Sequence, residues 1–207
     1  MTNQLDTAQP PPVKILISGP FGVGKTTLVA AVSEIRPLRT EAEMTKVSEP
    51  VDVLTRDTAK STTTVVMDFG RLTLPELTVY LFGTPGQSRF RYLWEEVAYG
   101  AVGAVVLADT SHLEACFDAV DFYEQRGVPF VVAINCFYGQ QDHDQTEVAK
   151  ALELDPDVPL VFCDARERQS VKDVLITLVK TALKQHREAP SPPAQRSPGS
   201  MVDSTSS

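Results

Sequence analysis

Basic residues are in deficit: 19 Lys and Arg stand against 27 Asp and Glu, a net charge of −8 over 207 residues. A chain built to hold a phosphate backbone needs the opposite sign, so nucleic acid is excluded as an expected partner. Cysteine is scarce. Cys116, Cys136 and Cys163 are odd in number and widely spaced, which suits neither a disulfide framework nor a zinc pattern and fits a reducing compartment. Long hydrophobic runs are missing too; Ala101 to Ala108 falls far short of the ~20 residues of a membrane span. The N-terminus lacks a basic flank and an apolar h-region, Met1 is followed by Thr2, and no cysteine stands near the C-terminus. A cytoplasmic chain without a membrane anchor of its own is expected. His112, His143 and His186 have no metal-ligand spacing.

What is present is ordinary globular composition, 43% hydrophobic and 22% charged, enough to build a core. Pro10-Pro11-Pro12 and a Ser/Pro-rich end divide the chain into a disordered arm 1–12, a single domain 13–186 and a disordered tail 187–207. Within the domain, apolar runs predict strands at Val13–Ser18, Thr64–Phe69, Leu77–Phe82, Val102–Ala108, Phe130–Ile134 and Leu160–Cys163. Helical periodicity occupies Lys25–Ser33, Ser88–Ala98, Leu113–Arg126, Gln145–Leu152 and Ser170–Gln185. Near-continuous apolar strands imply burial on both faces, as in a parallel sheet flanked by helices. Too few residues link Thr64–Phe69 to Leu77–Phe82 for a helical crossover, so that pair is antiparallel. The expected fold is α/β: a doubly wound, mostly parallel six-stranded sheet with one antiparallel edge strand.

Gly19-Pro20-Phe21-Gly22-Val23-Gly24-Lys25-Thr26 matches G-x-x-x-x-G-K-[ST], placed after a strand and before a helix. In such a phosphate loop the glycines let successive N–H groups converge on a phosphate, and the helix N-terminus adds its positive end. The nucleotide-binding set is therefore Gly19, Phe21, Gly22, Val23, Gly24, Lys25, Thr26 and Thr27. Lys25 would bridge the β- and γ-phosphates and Thr26 would offer its hydroxyl to Mg²⁺. This P-loop NTPase signature points to triphosphate binding without by itself requiring hydrolysis.

Downstream, Thr62-Thr63-Thr64-Val65-Val66-Met67-Asp68-Phe69 and Phe82-Gly83-Thr84-Pro85-Gly86-Gln87-Ser88-Arg89-Phe90 resemble the two switch segments of Ras-like small GTPases. With the Gly-Pro-Phe-Gly loop and Leu154-Asp155-Pro156-Asp157-Val158-Pro159, the chain is most similar to the actinobacterial conservon GTPases, relatives of the gliding-motility GTPase MglA. The resemblance implies a switch in which the Gly86 N–H meets the γ-phosphate, Gln87 orients the attacking water, and Thr64 closes on Mg²⁺. It implies Asn135 as a base-site residue and, from Cys163-Asp164-Ala165-Arg166, the Ala165 N–H as a base contact. It further implies conversion of GTP to GDP, a Roadblock-type regulator, a sensor kinase-like partner, and recruitment to the inner membrane face.

Departures from the Ras pattern qualify this reading. Gly83 stands where an acid opens the second switch, and Asp68 either supplies that charge to the metal or is a solvated strand residue. Phe21 replaces a glycine and would crowd the γ-phosphate and obstruct an arginine or glutamine approaching it, so slow intrinsic turnover is expected. Lys60 either steers toward the phosphates or is an exposed loop lysine. In Ile134-Asn135-Cys136-Phe137-Tyr138 the guanine-reading Lys and Asp have become Cys136 and Tyr138, with Asp142 and Asp144 as substitutes or as an acidic loop. ATP thus stays open beside GTP. A non-hydrolysing scaffold and a nucleotide protein of relaxed base specificity are the rivals. Trp94, with Arg89, Phe90 and Tyr92, either faces a partner or anchors the switch helix.

Overall fold

The structure is a computed structural model describing residues 11–45, 62–87, 90–136, 139 and 143–188, with backbone alone over 39–45 and 62–66. The arm and tail lie outside it except at their inner ends. There Pro12 opens the first strand, and Arg187 and Glu188 finish the last helix.

Strands β1 (Pro12–Ser18), β2 (Leu38–Thr45), β3 (Thr62–Thr73), β4 (Thr78–Gly83), β5 (Ala101–Ala108), β6 (Phe130–Asn135) and β7 (Leu160–Cys163) alternate with α1 (Lys25–Val32), α2 (Tyr92–Ala98), α3 (Phe117–Arg126), α4 (Gln145–Ala151) and α5 (Arg168–Glu188). The sheet order is β2-β3-β4-β1-β5-β6-β7. All six expected strands are present, and β3 runs antiparallel to β4 as anticipated. A seventh strand, β2, pairs antiparallel with the outer side of β3, so β3 lies one place in from the edge. Leu38-Arg39-Thr40-Glu41-Ala42-Glu43-Met44-Thr45 carries two glutamates and no continuous apolar run, which hid it from the sequence. Its strand form comes from the neighbouring ladder.

Strand alternation sorts the core. Ile15, Ile17, Val105, Leu107, Val131 and Ala133 pack on one face with Leu28 and Val29 of α1 and Val171, Val174 and Leu178 of α5. Leu16, Ala104, Val106, Val132 and Ile134 pack on the other with Trp94 of α2 and Val120, Phe122 and Tyr123 of α3. A residue period of two on a strand gives each face its own set, so every central position is buried. The parallel strands β4, β1, β5, β6 and β7 end together, and the loops that leave them form the site. No described helix is long and apolar enough to cross a membrane.

Candidate nucleotide site

The loop between β1 and α1 is built by backbone geometry that few side chains tolerate. Gly24 caps α1 at φ 106°, and a Cβ there would lie 2.7 Å from Asn135 Nδ2. Glycine at this position lets the loop turn left-handed and approach the β6 end closely. Lys25 begins α1 and folds back, donating from Nζ to the Gly19 carbonyl at 2.8 Å and the Pro20 carbonyl at 2.6 Å. Burial pulls its ammonium down to about 8, opposed by the nearby Asp68 carboxylate and more weakly by Cys116. A cation held at the cost of desolvation is suited to receive an anion.

Asp68 is the point where two strands and the phosphate loop meet. It stands opposite Gly83 in the β3–β4 register, and its Oδ2 accepts from Thr26 Oγ1 at 2.5 Å. A Cβ on Gly83 would come within 3.1 Å of Asp68 Cβ and 3.3 Å of its Oδ2. The missing acid at 83 and the carboxylate at 68 therefore occupy one space, and the side chain of Asp68 is buried rather than a solvated strand charge. Two hard oxygen donors, the Thr26 hydroxyl and the Asp68 carboxylate, suit Mg²⁺. Among the described residues, no three His, Cys, Asp or Glu side chains gather as a metal cluster.

The segment after β4 turns directly onto the phosphate loop. A Cβ on Gly86 would lie 2.5 Å from Lys25 Nζ and 2.7 Å from the Phe21 N, so the glycine's backbone sits against the phosphate-binding groups. The Phe21 ring, expected to crowd this spot, is 81% exposed. Gln87 is exposed at the turn. Trp94 is an anchor: its indole N–H donates to the Pro85 carbonyl at 3.2 Å, and its ring meets Phe122 edge-on with centroids 5.4 Å apart. Phe90 is buried and Tyr92 half exposed, while Arg89 lies outside the described residues.

Other expected site residues are dispersed. Thr64 is described by its backbone, which lies in β3 opposite Glu43. It lies four positions before Asp68, about 13 Å at a strand rise of ~3.3 Å, so in this arrangement its backbone stands away from Thr26. Lys60, Tyr138 and Asp142 lie outside the described residues. Asp144 is a helix cap, accepting from the backbone of Thr146 at 2.7 Å and Glu147 at 3.0 Å.

Asn135 sits elsewhere in function than base reading alone suggests. It is buried, donates from Nδ2 to the Val23 carbonyl at 2.9 Å and accepts from the Ala165 N–H at 3.0 Å. It braces the phosphate loop against the loop after β7, and the Ala165 donor is engaged there. Beside it, Asp164 takes three hydrogen bonds from Arg166, from its N and Nε to one oxygen and from Nη2 to the other. Those bonds hold the Asp164 carboxyl down at about 2. Sequence reasoning missed a buried chain of hydroxyls, Tyr123–Ser18–Thr84, under the same loops. The available signal was a tyrosine on the apolar face of α3, since a buried phenol needs a partner.

Residues 17–185 match the model of a family described as conserved hypothetical ATP binding protein. The chain belongs to this ATP-binding family. Membership agrees with the phosphate-loop geometry: this is a nucleotide-binding P-loop protein. A curated relative in Methanocaldococcus jannaschii, carried as Uncharacterized protein MJ1339, is 28% identical over 125 residues, 59% of this chain and 69% of its own. Among solved structures, the ATP-binding family member resembles the G domain of the T. maritima FeoB iron transporter, at TM-score 0.54 and 18% identity over 84% of this chain and 99% of that one. It also resembles the Arl6 BBS3 small GTPase of Trypanosoma brucei, solved with the nucleotide analogue GppNp, at TM-score 0.58 and 16% identity over 84% and 99%. Against the whole cytosolic domain of FeoB the TM-score is 0.57 at 18% identity, and the match covers 83% of this chain but 64% of that longer one. At these identities the likeness is one of fold, a G-domain-like P-loop architecture.

Proposed function

We propose that this chain is a nucleotide-dependent molecular switch that binds Mg–GTP and hydrolyses it slowly to GDP and phosphate within a signalling complex. The observation that carries the reading is the seat of Gly86 against Lys25 Nζ and the Phe21 N. A segment resting on the groups that bind a terminal phosphate must respond when that phosphate arrives or leaves. Lys25 exchanges its carbonyl partners Gly19 and Pro20 for phosphate oxygens. The Gly86 N–H would meet the γ-phosphate, and Gln87 would orient a water in line with the bond that breaks. Thr26 and Asp68 would hold Mg²⁺ and Thr64 would join them on closure; the ion, when bound, neutralises charge between the β- and γ-phosphates. Slow turnover is expected because Phe21 stands at a phosphate-loop position where a glycine would leave the γ-phosphate open to an approaching side chain.

The resemblance to conservon GTPases supports a Roadblock-type regulator and a sensor kinase-like partner, and recruitment through them to the inner membrane face. Base choice has a second reading. Asn135 and the Ala165 N–H satisfy each other, and Tyr138 stands where a carboxylate would read guanine. Together with the family's description as ATP binding, this favours relaxed discrimination between guanine and adenine.

The test is titration of nucleotide-stripped protein with fluorescent GTP, GDP and ATP analogues in Mg²⁺, beside Tyr138→Asp, with phosphate release followed in parallel. Guanine preference with slow phosphate release supports the GTP switch. Equal affinities, sharpened toward guanine by the variant, support the relaxed reading. Tight binding without release leaves a fixed scaffold, and no binding to any of the three ends the switch reading.

A further inference from the structure

Three hydroxyls that no part of the proposed reaction uses lie in line beneath the phosphate loop. Ser18, the residue before Gly19, is fully buried; its Oγ is 2.5 Å from the Tyr123 hydroxyl and 2.9 Å from Thr84 Oγ1. Thr84 Oγ1 lies 3.5 Å from the Ile17 carbonyl, which also accepts from the Thr84 N–H at 2.9 Å. Each hydroxyl has one proton to give. The order that uses every proton runs from Tyr123 to Ser18, from Ser18 to Thr84, and from Thr84 to the Ile17 carbonyl. Reversed, it leaves the proton of a fully buried Tyr123 without either hydroxyl as its acceptor. A buried chain of this kind is directional and fixes the geometry of the segments that it joins.

Those segments matter to the site. Thr84 lies two residues before Gly86, and the intervening Pro85 is tied to the Trp94 indole. Consecutive residues of the loop are thus fastened, one to α3 through hydroxyls and the next to α2. Fastened there, Gly86 is delivered onto Lys25 and the Phe21 N.

We infer that Tyr123 is a positioning residue that acts through Ser18 and Thr84 to hold the Thr84–Gln87 loop against the phosphate loop, and so sets how strongly the protein distinguishes a nucleoside triphosphate from a diphosphate. The inference deepens the proposed switch and rests on it for its consequence on nucleotides, while the placement of the loop stands independently. A diphosphate, held by the phosphate loop itself, is indifferent to the fastening; a γ-phosphate needs Gly86 in place.

The experiment uses the full chain with Tyr123→Phe, which keeps the ring, and Thr84→Val, which keeps the shape. Fluorescent GppNHp and GDP are titrated in Mg²⁺, and amide hydrogen exchange is measured on nucleotide-free protein. In both variants the triphosphate-to-diphosphate affinity ratio is expected to fall at least threefold, with GDP affinity within twofold of the parent. The Thr84, Gly86 and Gln87 amides are expected to exchange about tenfold faster, with those of Val105 to Leu107 unchanged. An unaltered ratio with unaltered exchange overturns the inference, as does faster exchange spread equally over β5, which would make Tyr123 an ordinary core residue. If the parent binds neither nucleotide the switch reading falls, and the exchange comparison alone decides whether Tyr123 holds the loop.

Discussion

Thr26 and Asp68, 42 residues apart, are joined by a 2.5 Å hydrogen bond at the mouth of the phosphate loop. The contact exists because β3 runs antiparallel to β4 and sets Asp68 opposite Gly83, where no side chain competes for the space. An acid at position 83 would compete for the space that the Asp68 side chain takes. Hydrogen bonds to a charged acceptor contribute ~1.5–3 kcal/mol, enough to hold Thr26 aimed before any ligand arrives.

Asp68→Asn should therefore weaken Mg²⁺-dependent triphosphate binding about tenfold, on the order of 1.4 kcal/mol, and leave binding in EDTA nearly unchanged. Titration at several Mg²⁺ concentrations checks this. Restoring the acid by Gly83→Asp in the native background should destabilise the fold, because its Cβ meets Asp68 Cβ at 3.1 Å and brings a second negative charge. In Asp68→Ala the carboxylate is gone but the Cβ contact stays, so the same change should destabilise less than in the native background.

Gly86→Ala places a methyl 2.5 Å from the Lys25 amine and 2.7 Å from the Phe21 N. The loop must lift. The expected outcome is a loss of triphosphate over diphosphate preference by roughly tenfold, about 1.4 kcal/mol, and a shift in emission of Trp94, the one tryptophan in the chain. Steady-state fluorescence with each nucleotide reads both.

Asn135→Ala leaves the buried Val23 carbonyl and Ala165 N–H without their partner. An orphaned buried group costs ~1–3 kcal/mol, so the urea midpoint should fall and GTP, GDP and ATP analogues should all weaken together. A loss confined to guanine nucleotides would instead make Asn135 a base reader in its own right.

Alkaline stability carries opposed signs. Burial pushes Cys116 up to about 11 and Cys163 up to about 12, from an unfolded value near 9, and pulls Lys25 from 10.5 down to about 8. Between pH 8 and 9 the unfolded chain holds the Lys25 proton that the fold sheds, so stability rises with pH. Above pH 9 the unfolded thiols lose protons that the fold keeps, and two thiols, joined later by the buried Tyr123 phenol, outweigh one amine. In metal-free buffer the urea midpoint should rise slightly to pH 9 and then decline. Cys163→Ala should soften the decline by up to about 1.4 kcal/mol per pH unit.

Ser18, Asn135 and Asp68 show how far the amino-acid order reaches. The phosphate loop, its strand and its helix were legible because Gly19 to Thr26 are adjacent in the chain and the apolar periods on either side are strong. The six regular strands and all five helices were legible for the same local reason, since residues that share a face repeat at fixed intervals. Strand β2 was not, because its pairing with β3 and not its own pattern makes it a strand.

What tertiary structure alone decided are the meetings of distant residues. A carboxylate on β3 reaches the hydroxyl of Thr26, an amide on β6 braces the loops of β1 and β7, and a phenol on α3 supports the loop after β4. Each meeting depends on sheet order and register, which place groups 30 to 112 residues apart within hydrogen-bond distance. The order of residues determined that a phosphate would be held; the stacking of strands determined which distant groups aim, brace and fasten the parts that hold it.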